Sequence, residues 1–151
     1  MRPAEWTARV RAGADGPARV LARNHNLLSD SPLGIGLRDE HPSALDLLLS
    51  ALGSDLVLRL QAGLSRTGLE VASLELKLRA ELEDPLAALD VRGADGSPAL
   101  SRVSGVFYLT GFLEEADTEL LEETWRRAQQ ASPVLQTLRR ACPVTIEFKQ
   151  L

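Results

Sequence analysis

The segment that most constrains this chain is "SALDLLLSALGSDLVLRL", residues 43–60, a long apolar run with a carboxylate, Asp55, near its middle. Ser43 followed by Asp46 three positions later is the reciprocal capping pattern, in which each side chain satisfies a free backbone N–H of the first helical turn. The spacing predicts a helix from Ser43 to about Gln61–Leu64, with Gly68 closing the loop beyond. At about 100° per residue, Asp46, Ser50, Gly53, Ser54 and Gln61 share one side. Ala44, Leu48, Ala51, Leu52 and Leu58 fall opposite, and Asp55 falls among them with Arg59 one turn on.

A carboxylate turned toward apolar surroundings must be paired or neutralised. Two readings follow. In one, Asp55 pairs with Arg59 at i,i+4 spacing near a wet helix end. In the other, Asp55 lines an internal pocket and hydrogen-bonds something there. Periodicity does not choose between them.

Around this helix, "WTARVRA" and "ARVLARN" are β-prone pieces broken by the turn signal "GADGP", which predicts a hairpin. Beyond the helix, Leu74, Leu76, Leu78, Ala80 and Leu82 alternate with Glu75, Lys77, Arg79 and Glu81, the period-two signature of a half-buried strand. "EDPLAALDVRGADGSPAL" reads as a polar connection, and "SRVSGVFYLTGFL" as a second strand. Asp117 opens an acidic helix whose Leu120, Leu121, Trp125 and Ala128 share a side. Ser132-Pro133 opens another, since serine caps well and proline suits the first helical position. The alternation of Val144, Ile146 and Phe148 in "PVTIEF" predicts a last strand. This order of elements defines an α+β class, and 151 residues suit a single domain with a real core.

The charge of −4 and dispersed arginines argue against a nucleic-acid partner, which needs a clustered basic surface. The start "MRPAEWTARVRAGADG" lacks the apolar core of a signal peptide, and no apolar run is read as a membrane span. The lone Cys142 excludes an internal disulfide and fits a reducing cytoplasm. His25 and His41 are well separated and have no partner cysteine, so neither a metal site nor a cofactor is expected.

"HPSALDLLLSALGSDLVLRLQAGLSRTGLEVASLELKL" resembles the central segment of the OsmC/Ohr family of thiol peroxidases, whose capped helix "PxELLLAALGSC" carries the reactive cysteine ahead of a long strand. "EETWRRAQQASPVLQTLRRACPVTIEF" resembles the family's second motif, in which a helix reaches "CPV", continues as "xxTL" and leads to a last strand. "LLSDSPLGIGLRDE" matches the glycine-containing stretch before the helix, so the resemblance covers roughly residues 20–151. It implies an OsmC-like fold: curved antiparallel sheets around a long central helix, in an intertwined homodimer with sites at the subunit interface. The chemistry implied is attack of a thiolate on an organic hydroperoxide, with a second cysteine resolving the sulfenic acid and an arginine and a glutamate assisting.

Carried over by position, the cysteine of "ALGSC" falls on Asp55 and that of "CPV" on Ser132. The helper glutamate falls on Leu45, with Asp46 beside it on another face. The helper arginine falls on Ala14 within "AGADG", with Arg19 or Arg23 as substitutes. Neither a carboxylate nor an alcohol can pass through sulfenic acid and disulfide. Cys142 has no resolving partner and reads as a small buried hydrophobe. Thiol peroxidase activity is therefore expected to be absent, and no catalytic residue is assigned. The candidate pocket is Asp55, Arg59 and Ser132 with Leu48 and Leu52, suited to a small apolar or peroxide-like ligand. Ser132 also has a purely structural role as a helix cap. The first expectation is a non-catalytic homodimer with a structural or ligand-binding role. The alternatives are an enzyme of another class using Asp55 as acid or base with Ser132 as donor, and residual peroxide detoxification through Cys142.

Overall fold

The computed structural model describes residues 4–30, 40–111, 114 and 117–151, and the chain divides into two compact units, Met1–Leu48 and Leu49–Leu151. In the first unit, β1 (Arg9–Arg11), β2 (Ala18–Ala22) and β3 (His25–Ser29) form an antiparallel meander in that order. The "GADGP" turn joins β1 to β2 as expected, with Gly16 at φ 96°, a conformation open to glycine at no steric cost. The third strand differs from expectation. "HNLLS" has no apolar–polar alternation, yet it pairs along the whole of β2 through a two-residue turn in which Arg23 adopts φ 53°. Most of the glycine-containing "LLSDSPLGIGLRDE" stretch lies outside the described residues.

Helix α1 (Ala44–Thr67) starts with the predicted cap. The Ser43 hydroxyl and backbone N–H donate to Asp46 Oδ2 at 2.6 and 2.8 Å, and the Asp46 N–H donates back to Ser43 Oγ at 3.2 Å. Gly68, at φ 77°, closes the helix in the left-handed region that only glycine adopts cheaply.

In the second unit α1 continues, followed by β4 (Ser73–Leu82), α2 (Pro85–Ala88), β5 (Leu100–Thr110), α3 (Thr118–Ala131), α4 (Pro133–Leu138) and β6 (Val144–Gln150). The sheet order is β4-β5-β6. β4 and β5 are antiparallel, from Ser73 opposite Thr110 to Ala80 opposite Val103. β5 and β6 are parallel, with Val103 opposite Val144 and Leu109 opposite Gln150. The expectation of antiparallel sheets therefore holds for the first unit and for β4–β5 only. The chain between β5 and β6 passes through two helices, and such a crossover returns the next strand in the same direction. Helix α2, missed in the polar connection, is one short turn capped by Asp84, whose Oδ1 accepts from the Leu86 and Ala87 N–H groups.

Leu74 and Leu76 of β4 pack against a core built from Leu60 and Leu64 of α1, Phe107 and Leu109 of β5, and Leu121 and Ala128 of α3. Trp125 meets Phe107 edge-on at 5.2 Å between ring centroids, and Phe148 of β6 stacks on Phe107 at 5.5 Å. Two faces differ from expectation. On α1 the buried stripe is Leu52, Leu56, Leu60 and Leu64, whereas Leu58 is 61% exposed. On α3 the buried set is Leu121, Thr124 and Ala128, with Leu120 turned outward. Packing selects an i,i+4 row on α1 and an i,i+3,i+7 stripe on α3 out of a broader surface. Among the described residues α1 is the one helix that by length and composition could cross a membrane, contrary to the sequence expectation, but its Leu60 and Leu64 belong to the core of the second unit. It reads as a core helix.

Candidate functional site

Asp55 sits on α1 beside the leucine stripe, one position before the fully buried Leu56. Its side chain is 18% exposed, and both carboxylate oxygens are engaged. Oδ1 accepts from Nε of Arg59 at 2.6 Å, one helical turn on. Oδ2 accepts from the hydroxyl of Ser132 at 2.6 Å, across 77 positions of sequence.

Ser132 ends α3 and caps α4 at once, in extended conformation at φ −80° and ψ 110°. Pro133 imposes that conformation, because the residue before proline is pushed out of the helical region. Ser132 is fully buried. Its Oγ accepts from the Leu135 N–H at 3.0 Å while its proton goes to Asp55, so the hydroxyl is satisfied as donor and as acceptor. A chain of charge-assisted bonds therefore runs Arg59–Asp55–Ser132 and ties α1 to the start of α4.

Asp55 pairs with Arg59 as the structural reading expected, and its second oxygen is bonded to the Ser132 hydroxyl. Leu52 is fully buried and Leu48 half-buried. Leu45 is half-buried, and the Asp46 carboxyl is committed to the cap and held below the usual carboxylate range by the Ser43 hydroxyl and then the Ser43 backbone. Ala14 lies in the turn between β1 and β2, Arg19 lies on β2, and Arg23 lies in the turn before β3. Cys142 is buried between α4 and β6, with no second cysteine in the chain. No cluster of metal-ligating side chains occurs among the described residues.

A cavity of about 410 Å³ opens next to the pair, between α1 and α3. Arg59 lines it together with Ala62, Gly63, Arg66, Thr124, Arg127 and others, but Asp55 and Ser132 are not among its lining. Sequence reasoning missed this groove. The signal was present in Arg59 and Arg66, seven residues and two turns apart on one side of α1, with small residues between them.

The two three-stranded sheets and the long helix α1 define an α+β protein of the OsmC/Ohr architecture. The family model described as "OsmC-like protein" matches residues 37–147, and the chain belongs to that family. No curated protein is similar enough to match. Among solved structures, the chain is similar to an OsmC-like protein from Mycoplasma pneumoniae, at TM-score 0.78 and 10% identity over 99% of both chains. It is also similar to an organic hydroperoxide resistance protein OsmC from Legionella pneumophila, at TM-score 0.67 and 13% identity over 99% of both. A third is the organic hydroperoxide resistance protein OhrB of Bacillus subtilis, at TM-score 0.64 and 16% identity, covering 95% of this chain and 98% of that one. At such identities the likeness is one of fold.

Proposed function

We propose that this chain is a non-peroxidatic, cytoplasmic member of the OsmC-like family, a homodimer whose residues 1–151 form one OsmC-like domain with a structural or small-ligand-binding role. The observation that carries the reading is the 2.6 Å bond between Asp55 Oδ2 and Ser132 Oγ. These are the two positions where the family motifs place the peroxidatic and resolving cysteines. Their side chains remain within bonding distance, and neither can form a sulfenic acid or a disulfide. The pair acts as a redox-inert tie in the place of a redox couple. Loss of the helper glutamate, with Leu45 at its position, points the same way.

The dimer is supported by how little of α1 one chain covers. Leu52, Leu56, Leu60 and Leu64 are its buried residues, while Leu58 is 61% exposed and Trp6 and Val10 of the first unit are 85% and 61% exposed. An apolar helix of 24 residues that its own chain leaves mostly uncovered favours burial by a partner.

The test is consumption of tert-butyl hydroperoxide with dithiothreitol or dihydrolipoamide as reductant, together with sedimentation equilibrium. A dimer mass and turnover no greater than that of heat-denatured protein are expected. Turnover abolished by Cys142→Ser would overturn the reading in favour of residual peroxide detoxification. Hydrolysis of an ester panel lost in Asp55→Asn would overturn it in favour of acid–base catalysis.

A further inference from the structure

The groove between α1 and α3 has a chemistry that the Asp55–Ser132 pair does not use. Its floor is made of small side chains, Ala62 and Gly63 from α1 with Ala128 and Ala131 from α3. Gly63 is what keeps the floor low, because a Cβ there would lie 2.6 Å from the Thr124 methyl carbon. The neutral donors in the lining are spent: the Thr124 hydroxyl donates to Leu120 O at 2.7 Å and that of Thr67 to Leu64 O at 2.8 Å. What remains free to hold a ligand is guanidinium.

Three arginines, Arg59, Arg66 and Arg127, line the groove. Arg59 uses Nε on Asp55 and Arg127 uses Nε on Glu123, each at 2.6 Å, which leaves their terminal amino groups. Glu123 already takes Arg126, whose hydrogen bond is the first cause of its lowered pKa, with Arg127 second. One carboxylate thus serves two guanidinium groups, so one positive charge is left over, shared between Arg126 and Arg127. The Arg66 side chain makes no hydrogen bond or ion pair with the described residues. The groove therefore holds the full charge of Arg66 and part of that of Arg127 uncompensated over an apolar floor, on a chain whose net charge is −4.

We propose that this groove binds a small organic phosphate monoester, its dianion held by Arg66 and Arg127 and its carbon body lying on Ala62, Gly63, Ala128 and Ala131. A guanidinium group bonds carboxylate and phosphate oxygens alike, but two of them together favour the ligand with three acceptor oxygens and a second negative charge, which a phosphate monoester has and a single carboxylate lacks. The volume of about 410 Å³ lies in the range of small-molecule sites. This reading stands independently of the proposed loss of peroxidase activity, since no residue of it needs to react.

The test uses phenyl phosphate as probe, with inorganic phosphate, benzoate and benzyl alcohol as comparisons, by calorimetry and by amide shifts in the full chain at low salt. Phenyl phosphate is expected to bind more tightly than each of the three and to shift the Gly63 and Ala131 amides. Arg66→Gln, an exposed position, should weaken it about tenfold, as should Arg127→Gln, with unchanged circular dichroism. Raised salt should weaken binding through screening. Equal binding by benzyl alcohol, affinity indifferent to both substitutions, or no binding to the wild-type chain would each overturn the proposal.

Discussion

Ser132→Ala separates the two jobs that one hydroxyl performs. The substitution removes the cap bond to the Leu135 N–H and the bond to Asp55 Oδ2. Loss of a serine cap costs about 1 kcal/mol, and loss of a hydrogen bond to a charged group about 1.5–3 kcal/mol. The second figure is reduced because Asp55 keeps Arg59 and some solvent access, its side chain being 18% exposed. The sum is about 2–4 kcal/mol, or roughly 5–12 °C in Tm for a chain of this length. In an Asp55→Ala background the same substitution should cost only the cap, about 1 kcal/mol. The coupling between the sites is therefore about 1–3 kcal/mol. Urea denaturation of the wild type, both single variants and the double variant measures it. Equal loss from Ser132→Ala in both backgrounds would show that the 2.6 Å contact contributes nothing and would refute the reasoning.

The double variant Asp55→Cys/Ser132→Cys should carry three titratable thiols when reduced and one after mild oxidation, since the chain has one native cysteine; three thiols persisting after oxidation would contradict the geometry. Gly63→Ala should destabilise despite its gain in helix propensity, because the new methyl meets Thr124, and Thr124→Ser should restore most of the loss by deleting the opposing methyl. The Asp46 carboxyl has a lowered pKa in the folded state, so its contribution to stability is present above the unfolded value of about 4 and disappears as pH falls through the folded value. Asp46→Asn should accordingly flatten the fall of urea midpoint with pH below about 4, and an unchanged slope would count against the cap.

Much of this fold is written locally. Ser43 and Asp46 mark the start of α1, the Leu74–Leu82 alternation marks β4, and Ser132-Pro133 marks the break between α3 and α4. These signals come from bonds and periods spanning a few residues, so they survive without tertiary context. β3 was not legible because "HNLLS" has no period of its own and is held by pairing to β2. The buried face of α1 was not legible either, since leucines surround the helix and only the sheet decides that Leu56 goes inside and Leu58 outside. The site was legible by likeness alone: periodicity placed Asp55 on an apolar side but gave no hint of Ser132. The arginine groove depends on Arg127, brought beside Arg59 and Arg66 only by the packing of α3.

The parallel pairing of β5 with β6 bears on the order in which the sheet can be assembled. β4 and β5 are joined by a connection short enough to zip together as soon as both leave the ribosome. Val103 and Val144, by contrast, are roughly forty residues apart, so their meeting carries the larger closure entropy. Until Val144 emerges, the middle strand has one bare edge and Phe107 lacks the ring of Phe148. Nascent chains stalled at that length should be the form that chaperones and proteases meet first.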